Sequence, residues 1–350
     1  MRKEAMLTAA IMGCAITAAH AVDVTEKTTI SGKAFIDLTN IDQTLDGVKT
    51  AASGTGLDVK RFYLGIDHVF DQTWSANVTT DFNYVGNDGE TQVYIKKAYL
   101  QGHFGDAFVV RAGSADLPWV PFVENLYGYR YVENVLVDHL KFGTSADWGL
   151  HAGGMFADGL VSYAASVVNG AGYKNPTRSK SMDFEGRLSV VPLEGLTFAA
   201  GFYSGKLGQD KEDVDALHTA QRWDALVAYV NPKFRAGAEY FEAKNWRQVL
   251  TSETDKATGY SLWGSYNFTD QMSAFARYDG ADPSKDLNPE LSSEYFNLGF
   301  AYRPRKNVDL AVVYKEDKAD NGVVSTSNGS IGGVNDGKYR EIGLWAQVAF

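Results

Sequence analysis

The chain has 350 residues, of which 45% are hydrophobic and 13% aromatic, with a mean hydropathy of −0.24 and a formal net charge of −10. A negative charge without a basic stripe disfavours nucleic-acid binding, and no apolar run after the N-terminal segment reaches the roughly 18 residues of a spanning helix. The single cysteine, Cys14, lies in that segment, which excludes disulfides and thiolate metal sites from the remaining chain.

The first 21 residues are predicted to be a signal peptide rather than part of the fold. Arg2 and Lys3 precede a short apolar run, which ends in small residues at the two positions that signal peptidase reads. We expect cleavage before Val22, which leaves residues 22–350 as the mature domain. The alternative is a lipoprotein signal that ends at Cys14.

From Thr28 onward the sequence alternates polar and apolar residues in segments of about ten residues, the length of a membrane-spanning β-strand. The alternation over residues 73–84 is typical of a strand with one face toward lipid and the other toward a polar lumen. Backbone groups in hydrocarbon need internal partners, so strands cross a membrane only in a closed sheet. The pattern therefore predicts an all-β, transmembrane antiparallel β-barrel.

Seven tight turns alternate with eight longer polar connections, which predicts sixteen strands with both chain ends on the short-turn side. The tight turns are residues 71–72, 105–106, 157–159, 192–195, 231–233, 269–271 and 303–307. The longer connections are residues 43–57, 86–91, 113–143, 170–180, 205–218, 245–256, 280–291 and 317–338. Short turns face the periplasm in outer-membrane barrels, so the longer connections are predicted extracellular loops. An additional hairpin hidden in residues 113–143 is the alternative.

Aromatic residues mark both ends of the predicted strands on the lipid-facing side, as Trp74 does near a turn and Trp223 near a loop. Two aromatic girdles around an apolar band are typical of the two membrane interfaces. The last strand ends at Phe350, and a terminal phenylalanine resembles the signal read by the outer-membrane assembly machinery of bacteria. We therefore expect a Gram-negative outer-membrane protein in contact with lipid and lipopolysaccharide.

Several segments resemble a known family, the phosphate-selective porins O and P. They are YAASVVNGAG at residues 163–172, DFEGRLSVVP at 183–192 with 201–205 after it, GAEY at 237–240, RYD at 277–279 with 282–283 after it, and KAY at 97–99. The resemblance covers most of the mature chain. It implies a sixteen-stranded homotrimeric porin whose third extracellular loop folds into the lumen, and here that loop would be residues 113–143.

This third loop is the longest connection and the richest in aromatic residues. Large apolar groups are unfavourable in water, so we expect the loop to pack against the barrel interior. A role at a subunit interface or at the pore mouth is the alternative. The candidate constriction residues are Asp116, Glu124, Tyr127, Arg130, Tyr131, Glu133 and Asp138.

Strand alternation also predicts which charged side chains face the lumen. The basic ones are Lys33, Arg61, Lys97, Arg111, Arg187, Arg222, Arg235 and Arg277. The acidic ones include Asp81, Asp183, Glu185 and Glu239. The two signs roughly balance, whereas a selective ring needs one sign to dominate. Loss of the signal peptide removes a net charge of +1 from the total of −10, and the resulting −11 favours cations.

These features predict a porin for passive diffusion of small hydrophilic solutes and ions. A phosphate-like anion channel and a plugged structural or adhesive barrel are the alternatives. We expect no enzyme and no cofactor, because the histidines after the signal peptide lie in unrelated segments without a coupled serine. They are His68, His103, His139, His151 and His218. We expect no metal site either, since residues 328–337 lack the period of calcium-binding repeats and are interpreted as a mobile surface loop.

Overall fold

The computed structural model describes residues 22–83 and 91–350. The predicted signal peptide and Cys14 lie outside the described residues, as does most of the connection predicted at residues 86–91.

Strands account for most of the described chain. They are β1 (Val22–Thr25), β2 (Thr28–Leu45), β3 (Val48–Lys49), β4 (Gly54–Val69), β5 (Trp74–Asn83), β6 (Gln92–His103), β7 (Val109–Asp116), β8 (Ala146–Phe156), β9 (Val161–Val168), β10 (Asp183–Leu193), β11 (Leu196–Gly205), β12 (Ala220–Val230), β13 (Phe234–Lys244), β14 (Lys256–Asn267), β15 (Met272–Asp282), β16 (Ser292–Arg305), β17 (Val308–Asp320), β18 (Val324–Thr326), β19 (Gly329–Ile331) and β20 (Asp336–Ala349). Two helices, α1 (Val120–Tyr127) and α2 (Leu136–His139), lie between β7 and β8. Among the described residues, no helix is long and apolar enough to cross a membrane.

Sixteen of these strands, namely β2, β4 to β17 and β20, form a closed antiparallel barrel in chain order. The ring closes because β2 pairs with β4 on one side and with β20 on the other, with Lys33 opposite Ala349 at the seam. The predicted barrel and its strand number are confirmed. The short strands β1 and β3 pair antiparallel with the beginning and the end of β2, and β18 and β19 form a separate hairpin.

All seven predicted tight turns are confirmed, and they share one end of the barrel, here called the short-turn end. Their geometry follows from local chemistry. Asp71 accepts hydrogen bonds from the backbone N–H groups of Thr73 and Trp74, both at 2.8 Å, and Ala157 and Asp158 both adopt positive φ in their turn. The opposite rim is the long-loop end. The first connection there is shorter than predicted, since β2 and β4 continue beyond the expected boundaries.

Alternation along the strands separates an apolar outside from a polar inside. On β12, Arg222 and Asp224 are buried in the barrel, while Trp223 between them is 58% exposed on the outer face. On β16, Leu298 and Phe300 are exposed outward in the same way. Such an outer band is unfavourable in water and favourable in lipid.

Candidate pore constriction

The connection between β7 and β8, residues 117–145, lies inside the barrel and is here called the inner loop. Trp119 anchors its first part, where the backbone N–H donates to Glu185 at 2.9 Å and the indole Nε1 donates to Glu239 at 2.8 Å. Trp119 is fully buried, and both carboxylates project inward from the barrel wall. The prediction that the third loop folds into the lumen is confirmed, although β7 runs to Asp116 rather than ending near Gly113.

Aromatic packing holds the middle of the inner loop against the wall. Tyr129 stacks on Phe275 with ring centroids 4.0 Å apart, and Tyr127 packs edge-on against Trp263 at 5.9 Å. Tyr127 and Tyr131 are almost completely buried. Both tyrosines, which the sequence suggested as constriction residues, therefore attach the loop to the wall instead of lining open space, because apolar rings gain most from leaving water.

A buried polar cluster holds the last part of the inner loop. Glu133 accepts from Lys315 at 3.2 Å, from Ser327 at 2.6 Å and from Asn328 at 2.9 Å. Lys315 also pairs with Glu341 at 2.5 Å, so one ammonium group lies between two carboxylates. The β18–β19 hairpin thus folds inward onto the inner loop. The interpretation of residues 328–337 as a mobile surface loop was wrong at Asn328, because its side-chain amide donates to the buried carboxylate of Glu133. No local sequence pattern indicates this contact.

His139 lies within this cluster in a serine–histidine–aspartate arrangement. Its Nε2 is 2.9 Å from Asp317 and its Nδ1 is 2.6 Å from the Ser327 hydroxyl. Burial opposes protonation, but the charges and hydrogen bonds of Asp317 and Glu133 outweigh it and raise the pKa of His139 to about 9. The imidazolium therefore donates on both sides, while the serine hydroxyl donates to Glu133. The expectation that no serine is coupled to a histidine was therefore wrong at His139, whose hydrogen bonds join the inner loop to β17 and to the β18–β19 hairpin.

Charged side chains around the remaining space are mostly paired. Arg61 binds Asp81 at 2.7 Å, and Lys97 binds Asp116 at 2.6 Å. On the inner loop itself, the Nε of Arg130 lies 2.5 Å from Glu124 and its side chain stays partly exposed.

Two further ion pairs lie deeper in the wall, and in each of them an arginine also contacts the inner loop. Arg222 binds Asp224 at 2.9 Å and also donates to the carbonyl of Phe142 in the inner loop. Arg277 pairs with Asp279 and donates to the carbonyl of Asn134 in the same loop.

Two predicted acids are bound by neutral donors instead of cations. Asp183 accepts from the Tyr203 hydroxyl and from the backbone N–H groups of Lys206 and Leu207. Asp138 accepts from the Asn134 amide at 2.5 Å.

Three predicted arginines of the inner wall form no ion pair within the described residues. Arg111 donates to the Gln101 amide, Arg187 to the carbonyl of Pro118, and Arg235 to carbonyls of helix α1. Lys33 lies on the same face of β2 as the buried Phe35. Alternation alone did not indicate that these three arginines lack a carboxylate partner among the described residues.

Sequence reasoning missed two lumenal lysines, Lys60 and Lys96, because each sits at a β-bulge. The bulges shift the register by one residue between β2 and β4 and between β5 and β6, which turns both side chains inward. Lys60 bridges Asp37 at 3.0 Å and Glu341 at 3.3 Å, and Lys96 lies 4.8 Å from the Tyr63 ring. The sequence signal that could have indicated these bulges is a lysine at a position that alternation assigns to the lipid-facing side of a strand.

Cavities lie on both sides of the inner loop. At the long-loop end, a cavity of about 660 Å³ is lined by Arg61, Asp138, Lys141 and Lys174 among others. At the short-turn side, a cavity of about 70 Å³ is lined by Arg111, Arg187 and Asn125 among others. Leu117 borders both cavities, so the inner loop is what separates them.

No family model and no curated protein sequence matches the chain. Solved structures share its fold. The anion-selective porin from Comamonas acidovorans aligns with a TM-score of 0.64 at 12% identity, covering 92% of this chain and 99% of that chain. The outer membrane channel DcaP of Acinetobacter baumannii aligns at 0.63 and 14%, covering 92% and 97%. Salmonella typhi OmpF in complex with daunomycin aligns at 0.61 and 14%, covering 92% and 97%.

Proposed function

We propose that the chain forms a water-filled channel in the outer membrane of a Gram-negative bacterium, through which small hydrophilic solutes and ions diffuse passively. The observation that carries this proposal is a closed sixteen-strand barrel, apolar outside, whose polar interior is narrowed by the inner loop. The short turns then face the periplasm and the long loops the exterior. The similar solved structures include proteins described as porins or channels, which supports the proposal.

Within this channel the inner loop sets the size limit, and the charges beside it set the ion preference. Arg130 pairs with Glu124 on the loop, and Arg61 with Asp81 and Lys97 with Asp116 on the wall. Because nearly all these charges are paired, the field on a passing ion is weak, and we expect a permissive channel with a small bias.

A second candidate is a channel that prefers anions. The specific observation in its favour is that Arg111, Arg187 and Arg235 of the inner wall form no ion pair within the described residues. The net charge of −11 argued for cations, but that charge is spread over the whole surface, whereas an ion at the constriction responds to groups within a Debye length. Resemblance to the phosphate-selective porins O and P points the same way.

We further propose that the chain assembles as a homotrimer, as the family resemblance implies, and has no enzymatic role. Phe350 is proposed as the recognition signal for the assembly machinery. Its backbone N–H donates to the carbonyl of Gly32 and its carbonyl accepts from the same residue, so it lies at the seam where the barrel closes. A Cβ at Gly32 would stand 2.2 Å from the Phe350 ring, so a larger residue there requires that ring to shift.

Recording in planar lipid bilayers tests the channel directly. The purified protein should produce stepwise conductance increases, and the reversal potential under a potassium chloride gradient distinguishes the two candidates. A barrel that inserts but conducts no ions would overturn the channel proposal in favour of a plugged structural barrel.

A further inference from the structure

One buried arginine of the inner wall has no counter-ion. Arg187 on β10 is 8% exposed and takes part in no ion pair within residues 22–83 and 91–350. The two other arginines that are buried as deeply, Arg222 and Arg277, each bind a carboxylate. Burial of a charge without compensation is costly. Arg187 is therefore a position where the interior lacks a compensating anion among the described residues.

The guanidinium of Arg187 is also held in one orientation. Its face lies 3.9 Å from the ring of Phe122, its Nε donates to the carbonyl of Pro118 at 3.1 Å, and its Nη1 donates to the hydroxyls of Ser189 and Ser162 at 2.7 and 3.3 Å. The Nη2 group has no acceptor in the part of the chain that the structure describes. A rigid guanidinium with one free edge needs little reordering to bind an anion.

The cavity of about 70 Å³ on the short-turn side of the inner loop lies beside this group and is lined by both Arg187 and Arg111. Arg111 donates from Nε to Gln101 at 2.7 Å, and its two terminal nitrogens have no acceptor among the described residues. One acid, Asp116, also borders the cavity, but Lys97 binds it at 2.6 Å. The cavity therefore carries a net positive charge.

The remaining polar lining consists of neutral groups. Asn125 contributes an amide, and His151 is bonded to Ser166 at 2.9 Å and to the carbonyl of Gly113 at 3.3 Å. A volume of this size holds a few water molecules. It thus admits a small anion and excludes a sugar ring.

We propose that this cavity is a binding site for one small anion with charged terminal oxygens, either an inorganic oxyanion or the carboxylate of an organic solute. The nitrogens of Arg187 and Arg111 would bind the oxygens through charge-assisted hydrogen bonds. The site rests on the proposed channel function, because an anion reaches it only through the lumen. It places a resident anion on the periplasmic side of the inner loop, where an outgoing or incoming solute must pass it.

Block of chloride current tests the site. The purified full-length protein is recorded in planar bilayers in potassium chloride, with sodium sulfate or sodium acetate added in steps on the short-turn side. We expect a saturable block in the wild type and a half-blocking concentration about tenfold or more higher in Arg187→Gln, which is the weight of one charged hydrogen bond. Titration calorimetry of sulfate and acetate into the detergent-solubilised protein gives the same ratio without conductance.

Arg303→Gln is the matched control. Arg303 lies at the same end of the barrel, pairs with Asp309 at 2.6 Å and does not line the cavity. The control removes one positive charge, as Arg187→Gln does, but from a position outside the cavity. Its half-blocking concentration should therefore equal that of the wild type. Arg187→Lys keeps the charge but lacks the planar fork, and it should lie between the wild type and Arg187→Gln.

The outcomes separate this site from the channel itself. A conducting wild type without saturable block by either anion overturns the site and leaves the channel proposal standing, whereas the absence of any conductance overturns the channel. Block by sulfate alone assigns an inorganic ligand, and block by acetate alone an organic one. An equal loss of block in Arg303→Gln also overturns the site. If Arg187→Gln does not fold, judged by its heat-dependent electrophoretic mobility, Arg111→Gln carries the same expectation.

Discussion

Replacement of Arg130 by alanine is expected to shift ion selectivity toward cations. Arg130 projects from the inner loop and pairs with Glu124 at 2.5 Å, while its side chain remains 17% exposed. Its removal eliminates one positive charge and uncovers one carboxylate, so the local charge changes by one negative unit. The perturbation lies on the inner loop, where we propose the constriction.

The size of the shift follows from Coulomb's law. A unit charge about 5 Å from a passing ion contributes about 0.8 kcal/mol in water, and salt at about 0.1 M reduces this to about 0.5 kcal/mol. The contribution has opposite signs for potassium and chloride, so the two permeabilities separate by about 1 kcal/mol. The ratio of potassium to chloride permeability should therefore rise about fivefold.

The reversal potential under a potassium chloride gradient measures this ratio for the wild type and Arg130→Ala. Arg340→Ala is the matched control, because Arg340 pairs with Glu316 on the exposed surface away from the inner loop. Its permeability ratio should match the wild type. An unchanged reversal potential in Arg130→Ala would remove Arg130 from the ion path and refute the placement of the constriction beside it.

Three further predictions concern stability, each read from denaturant unfolding of the barrel in detergent. The pKa of His139 is about 9 in the folded protein against 6.5 when unfolded, so its protonation contributes stability that is fully present below pH 6.5 and is lost as the pH rises through 9. His139→Gln should abolish this dependence of the free energy of unfolding on pH, and a dependence that persists in the variant contradicts the prediction. Lys60→Met leaves Asp37 buried without its cation and should cost about 3–5 kcal/mol, and equal stability would show that water enters the site. Phe275→Ala removes the ring stacked on Tyr129 and should cost about 3–5 kcal/mol, whereas Phe300→Ala on the lipid-facing side should cost clearly less.

The barrel could be predicted from the sequence because its determinants are local. Each strand carries its own alternation, and each tight turn carries its own turn formers, so Arg222 inward and Trp223 outward follow from position alone. The exceptions are also physical. At Lys60 and Lys96 a bulge adds one residue, and alternation assigns the wrong face once the register shifts.

The interior contacts could not be predicted in the same way. Glu133 and Lys315 belong to distant segments, and which lumenal charge meets which partner depends on the height of each strand in the barrel. Alternation therefore identified inward residues such as Arg187 but gave no indication that it lacks a carboxylate. The contact of Ser327 with His139 also depends on the inward fold of a hairpin whose sequence looks like an ordinary surface loop.

Closure of the ring joins the first and last strands of the barrel, since β2 pairs with β20 along thirteen residue positions. In every other neighbouring pair of the barrel, the two strands follow each other in the chain. Pairing of β2 with β20 is instead a folding step that brings together segments separated by almost the whole polypeptide. Such a step bears the largest loop-closure entropy and is the slowest kind of contact to form. Until it forms, β2 and β20 each have one unpaired edge, which can pair with the edge strand of another copy.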